Sequence, residues 1–239
     1  MMNKNIKIIL GSIYLIILIT FLYFLFSKFD VSRINDFSYY KSIQSNLDEI
    51  IGKNLYFNLI LFFIFSALWV ILLGFGSPIL ILSGIIFGKW IGTSISLISI
   101  SVGSLCLYII GNYFFSDLIH QILKNKFTKF IERFQKNEFY YFLAFRAAGG
   151  LGIPFGLQNL LPVIFKIKNY NYFLASLIGF VPHFFIWNAV GAGINSFIKE
   201  SDEFNLLNLI MSKEIYIPLL IFIVLFLLSL IIKKKFFND

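Results

Sequence analysis

Phe139-Tyr140-Tyr141-Phe142-Leu143-Ala144-Phe145-Arg146-Ala147-Ala148-Gly149-Gly150-Leu151-Gly152-Ile153-Pro154-Phe155-Gly156-Leu157-Gln158-Asn159-Leu160-Leu161-Pro162 decides how the rest of the chain reads. It is an apolar stretch that holds one charge and is interrupted by glycine and proline. A charge in hydrocarbon costs about 2.5 kcal/mol or more, so chains that keep one bury it in protein or against a water-filled cavity. Broken helices at membrane depth are tolerated under the same condition. The two features together predict a transport-type site.

The composition supports a membrane setting. The chain is 59% hydrophobic and only 13% charged, against about a quarter charged in a soluble domain. A polytopic, all-α membrane protein of five to seven segments is expected, at about 20 residues per segment. The net charge of +8 is read as lysine and arginine facing anionic lipid rather than nucleic acid. Cys106 is the single cysteine, so neither an intrachain disulfide nor a thiolate metal cluster is expected.

Charge-free runs place the spans. The first is 8–27, a retained helix rather than a cleaved signal, since its apolar run is too long for an h-region. Asn54 to Gly88 is too long for one span and too short for two with a loop. It divides into a helix at about 56–74 and a re-entrant hairpin at about 75–91, shaped by Gly76, Gly84, Gly88 and Gly92. A span at about 92–115 follows. In 116–138, Lys124, Lys126, Lys129, Arg133 and Lys136 mix with apolar residues at helical spacing, which fits a basic helix on the bilayer surface or one packed on the protein. A second hairpin is expected at about 140–167, shaped by Gly149, Gly150 and Pro162. Spans at about 170–197 and 215–232 complete the chain. The organisation is thus 1–55 (helix and loop), 56–197 (core) and 198–239 (loop, last helix, basic tail). Broken segments in corresponding halves point to an inverted repeat. If both hairpins return to their side of entry, then 27–56, 116–138, 166–168 and the tail share one side with fourteen of the twenty basic residues. The positive-inside rule makes that side, with the C-terminus, cytoplasmic.

Soluble-enzyme signatures are missing: no G-x-S-x-G, Walker loop or H-E-x-x-H occurs, and only His120 and His183 are present. No catalytic residue, metal ligand or cofactor is therefore assigned. Arg146 has two readings: it holds a phosphate or carboxylate bidentately, or it ties down carbonyls freed near Gly149–Pro154. Pro154 and Pro162 remove backbone donors. Asn159 either latches one hairpin arm to the other or meets a polar headgroup. His183, after Pro182, is a candidate titrating group or a packing residue. Lys89 and Trp90 read as interfacial anchors.

Gly76-Ser77-Pro78 with Ser83-Gly84-Ile85-Ile86-Phe87-Gly88-Lys89-Trp90-Ile91-Gly92 resembles the first hairpin of the SNARE-associated Golgi protein family, the VTT-domain family of the DedA superfamily. Phe142-Leu143-Ala144-Phe145-Arg146, with Pro154-Phe155 and Asn159, is similar to its second hairpin, and Gly179-Phe180-Val181-Pro182 to the helix after it. The resemblance implies two facing re-entrant hairpins and a role in moving lipids, including phospholipids and polyprenyl phosphates. On this reading Arg146, Asn159, Pro154, Phe155 and Pro78 line the lipid path. The first-hairpin acidic residues of the bacterial branch are missing, which weakens proton coupling and favours passive scrambling. The expected partners are membrane lipids and a second copy of the chain, with no nucleic acid. The expected setting is a bacterial plasma membrane. A small-ion or solute transporter and a non-catalytic membrane-organising protein are the alternatives.

Overall fold

A computed structural model describes residues 36–72, 75–123, 128–201 and 203–237, with isolated positions among the first 35. The expected span at 8–27 lies largely outside the described residues. The chain divides into two units, 1–42 and 43–239. Asp36 caps the helix Phe37–Lys53, most of which belongs to the second unit, accepting from the backbone N–H and hydroxyl of Ser38. The second unit holds everything that follows.

Among the described residues the structure is helical throughout, with no strand. The elements are α1 (Phe37–Lys53), α2 (Leu55–Ile71), α3 (Gly76–Leu123), α4 (Thr128–Lys136), α5 (Glu138–Ala147), α6 (Phe155–Leu160), α7 (Asn169–Gly179), α8 (Val181–Glu200), α9 (Leu206–Met211) and α10 (Lys213–Phe237). Two 3-10 turns, Gly149–Gly152 and Leu161–Phe165, flank α6. Among the described residues one helix, Gly76–Phe114, is long and apolar enough to cross a membrane. Up to three spans result if each bent pair, α1 with α2 and α7 with α8, counts as one.

α3 is not straight. Gly88 has φ 73° and ψ 175°, a conformation that costs glycine little and any other residue much. There the chain doubles back. The Ser83 hydroxyl donates to the Gly92 carbonyl at 3.0 Å, although nine helical residues would separate them by about 13 Å. α3 is thus a first limb, 76–87, and a return limb, 89–123. α2 folds against the first limb in turn. Phe62 meets Phe87 edge to face at 5.3 Å, and the Trp69 indole donates to the Phe75 carbonyl at 2.8 Å. Those two contacts make α2 and the first limb the two arms of a hairpin.

This revises two expectations. The hairpin drawn at 75–91 has its apex earlier, so the helix at 56–74 is its first arm, and the span at 92–115 continues without a break from Gly88. The stronger interruption is the one between the end of α2 at Ile71 and the start of α3 at Gly76, whereas Gly88 makes a turn between two good helices. The consequence is topological. α1 lies at the end of the bundle where α8 finishes, with Asp48 paired to Lys199 at 2.8 Å. Segment 43–56 is therefore at the opposite end from α4 and 166–168, not beside them.

The second half repeats the pattern. α5 rises to an apex at Gly149–Pro154, the chain returns through α6 and the following 3-10 turn, and Lys166 at φ 51° reverses it into α7. The base is closed by Glu138, which accepts from the Lys168 backbone N–H at 3.3 Å and the Asn171 amide at 2.6 Å. Pro78 and Pro154 begin equivalent limbs. Gly103 follows the first, and Gly179 the second, by the same 25 residues. Gly103 packs on Ala67 and Val70, and Gly179 on Leu143 and Arg146. The hairpins face each other. Phe155 covers Gly76, apex against apex. The first hairpin's base is at Gly88, while the second's is near Tyr108, whose hydroxyl donates to the Ile167 carbonyl at 2.6 Å. Those points are about 30 Å apart along the return limb.

The described apolar residues of α4 face the protein. Ile131 and Phe134 pack on the second hairpin's base, Phe134 stacks on Phe165 at 4.0 Å, and Gln135 donates to the Phe165 carbonyl at 3.0 Å. Of the two sequence readings of this helix, its described contacts favour packing on the protein.

Candidate functional site

Arg146 closes the last turn of α5, and its side chain is 1% exposed. Its Nη2 donates to Asn159 Oδ1 at 2.7 Å and to the Tyr172 hydroxyl at 2.8 Å. The Tyr172 hydroxyl donates to the Asn159 carbonyl at 3.2 Å. The three residues come from α5, α6 and α7, so one guanidinium ties both arms of the hairpin to the helix behind it. Around it stand aromatic rings. Its centre is 4.7 Å from the Phe142 ring, 4.6 Å from Phe180 and 5.4 Å from Tyr172. Such contacts contribute about 0.5–2 kcal/mol each.

The site is short of acceptors. An arginine has five N–H donors, and here Nε and Nη1 have no protein partner; neither does Asn159 Nδ2. The Asn159 amide is oriented by Arg146, since only its oxygen can accept from Nη2. Among the described residues no carboxylate faces the guanidinium. Burying a cation that is only partly bonded is unfavourable. What the arrangement does offer is a set of convergent donors matched to an acceptor-only group, such as a phosphate or carboxylate oxygen.

Arg146 is not the clamp for the broken backbone. Gln158 performs that task. Its Nε2 donates to the Ile153 carbonyl at 2.6 Å and to the Gly149 carbonyl at 3.3 Å. Gly149, Gly150 and Gly152 all have positive φ, which lets the apex wrap around this amide; a Cβ on Gly150 would lie 2.0 Å from Gln158 Cδ. Gln158→Ala is expected to lower stability by about 1–3 kcal/mol, because two carbonyls freed at the apex lose their donor. Thermal unfolding in detergent measures this.

The remaining candidates fall in different places. Pro154 precedes α6 on an exposed surface, and Phe155 packs between Gly76 and Phe180. Pro78 is exposed in the first limb of α3, outside the ring of residues around Arg146. Gly84 and Gly92 receive α8: Asn188 lies against both. Pro162 is buried in the second 3-10 turn. His183 sits over Gly149, with Phe222 at 5.9 Å on its other side. Sequence reading missed Tyr172, Gln158, Phe180 and Glu138. Phe142, one helical turn before Arg146, carried a usable signal; Tyr172, 26 residues away, carried none. Among the described residues no group of three His, Cys, Asp or Glu is placed to hold a metal ion.

An all-helical membrane protein with two opposed hairpins and a buried arginine at the apex of one is the class that fold and site define. The VTT domain matches residues 73–193, from just before α3 to partway along α8. The chain belongs to this family, the SNARE-associated Golgi and DedA group of membrane proteins, generally regarded as transporters. No solved structure matches it.

Proposed function

We propose that the protein moves a lipid bearing a phosphate between the leaflets of its membrane, with Arg146 engaging the phosphate in transit. The carrying observation is the buried guanidinium whose Nε and Nη1 have no protein acceptor, beside an Asn159 amide in the same condition. A hairpin arm such as 76–87 is about 18 Å long, well short of a hydrocarbon core of about 30 Å. On this reading both hairpins are re-entrant and their apices meet near the midplane, so a headgroup has only a short barrier to pass. Phe180, at the 45° bend between α7 and α8, covers the guanidinium. The arrangement described is then an occluded one, and a change in that bend opens it. No covalent step is assigned to the lipid, and no cofactor. Among the described residues of 43–239, eight basic residues fall at the α4 and C-terminal end against four at the other, which supports a cytoplasmic C-terminus.

The enclosure of Arg146 by three rings also suits a small free anion, so the same experiment carries both substrates. Purified protein in liposomes is given labelled phospholipid, labelled polyprenyl phosphate or inorganic phosphate. Movement of either lipid supports the reading. Uptake of phosphate alone makes the protein a solute transporter. Movement of none, with or without an ion gradient, defeats it.

A further inference from the structure

Between α8 and α10 runs a groove of about 170 Å³ lined by Pro182, Phe185, Ile186, Ala189, Pro218 and Ile221. We propose that it seats one acyl chain of the lipid whose phosphate is drawn to Arg146. This deepens, and rests on, the lipid reading above.

The groove has a local cause. Ala189 is the small residue on a face otherwise built from Phe185 and Ile186. Pro218 lies inside α10, where it has no N–H to donate to the carbonyl of Glu214. That carbonyl is turned toward Gly193, so the two helices touch there, and they meet again where Phe222 packs on His183 and Trp187. The lining is entirely hydrocarbon. Apolar cavities of about 150 Å³ stay dry and take up hydrocarbon ligands.

What covers the groove follows from its surroundings. Its mouth is continuous with an apolar surface in which Val181, Ile217, Leu220, Ile221 and Val224 are 44–55% exposed, on helices of a membrane protein. One end of it is close in sequence to the residue that covers the cation. Phe180 stacks over the guanidinium, and Pro182 opens the groove two residues later. The first turn of α8 therefore has one side toward the donors and another toward the acyl seat. A phospholipid presents the same pair of chemistries on one molecule.

The test uses a phospholipid with a photoreactive group near the end of one chain, in proteoliposomes of the full chain. Labelled positions are read by mass spectrometry. The expected result is strong labelling of Phe185 and Ile221, falling at least tenfold in Ala189→Phe and Ile221→Trp, while labelling of the lipid-facing side of α2 is unchanged. Ile221 is 49% exposed, so I221W keeps the fold even if A189F does not. Equal labelling in native and variant chains overturns the proposal. So does disulfide cross-linking of Ile221→Cys between copies with no lipid label, which would make the groove an interface between protomers. Labelling that obeys the prediction in protein that moves no lipid upholds the acyl seat and refutes translocation. Translocation with unaltered labelling does the reverse.

Discussion

Arg146→Met is expected to fold, to unfold no earlier than the native chain, and to lose anionic-lipid movement by about 100-fold. The stability half follows from the balance at the site. The guanidinium gains two hydrogen bonds and three ring contacts. Against this stand an unpaired buried charge and N–H groups at Nε and Nη1 with no protein acceptor. Replacing buried ions with apolar residues of similar volume is often neutral or stabilising by 1–4 kcal/mol. Methionine fills irregular space beside aromatic rings with favourable sulfur contacts. The cost is the loss of a donor to Asn159 Oδ1 and Tyr172, about 1–3 kcal/mol. The activity half follows from the ligand. Charge-assisted bonds to an oxyanion contribute about 1.5–3 kcal/mol each, and about 1.4 kcal/mol is tenfold in rate. Thermal unfolding in detergent and lipid movement in liposomes separate the two. A variant that loses stability and activity together would make Arg146 a structural tie. Arg146→Lys is expected to recover little, because an ammonium cannot bridge two partners in one plane while stacking between rings.

Gly191→Ala, and Gly84→Ala with it, is expected to cost 3 kcal/mol or about that, enough to prevent recovery of folded protein. A Cβ at Gly191 would lie 2.1 Å from the Ile81 carbonyl oxygen, and one at Gly84 would lie 2.1 Å from that of Asn188. Both obstacles are backbone, so no rotamer change relieves them and the helices must separate. Overpacking that shifts backbone costs about 1–3 kcal/mol or more. Membrane helices depend on such close approach, since lipid supplies no hydrophobic force to drive them together. Gly88→Ala differs in kind: nothing lies within 4 Å of its Cβ position, and its penalty is conformational. Yield of monodisperse protein after detergent extraction ranks the three. A monodisperse Gly191→Ala chain with native stability would mean α8 does not cross the first limb this closely.

The two halves differ where their equivalence matters most. Val70 and Arg146 each precede the limb's proline by eight residues, and Ser83 and Asn159 each follow it by five. All four are buried to 1% exposure or less. One half therefore holds a valine with a hydroxyl, the other a cation with an amide. The repeat supplies the scaffold, and a single position in it supplies the charge.

The sequence by itself determined the membrane setting and the helical class, and it singled out Arg146 and Asn159 as polar residues in apolar surroundings. These follow from local chemistry: charge-free runs, and polar groups isolated in apolar surroundings, have few physical solutions in a bilayer. It misplaced the first apex because a glycine followed by lysine and tryptophan resembles a membrane boundary as much as a turn. The matching proline-to-glycine spacings that register the halves have meaning only once the limbs are seen side by side. Tertiary structure alone decided that Gln158, not Arg146, secures the broken backbone, that Tyr172 and Phe180 enclose the guanidinium, and that α4 spends its apolar face on the protein. Each depends on which side chains converge from separate helices. Helical periodicity fixes the face a residue occupies but not the neighbour that face meets.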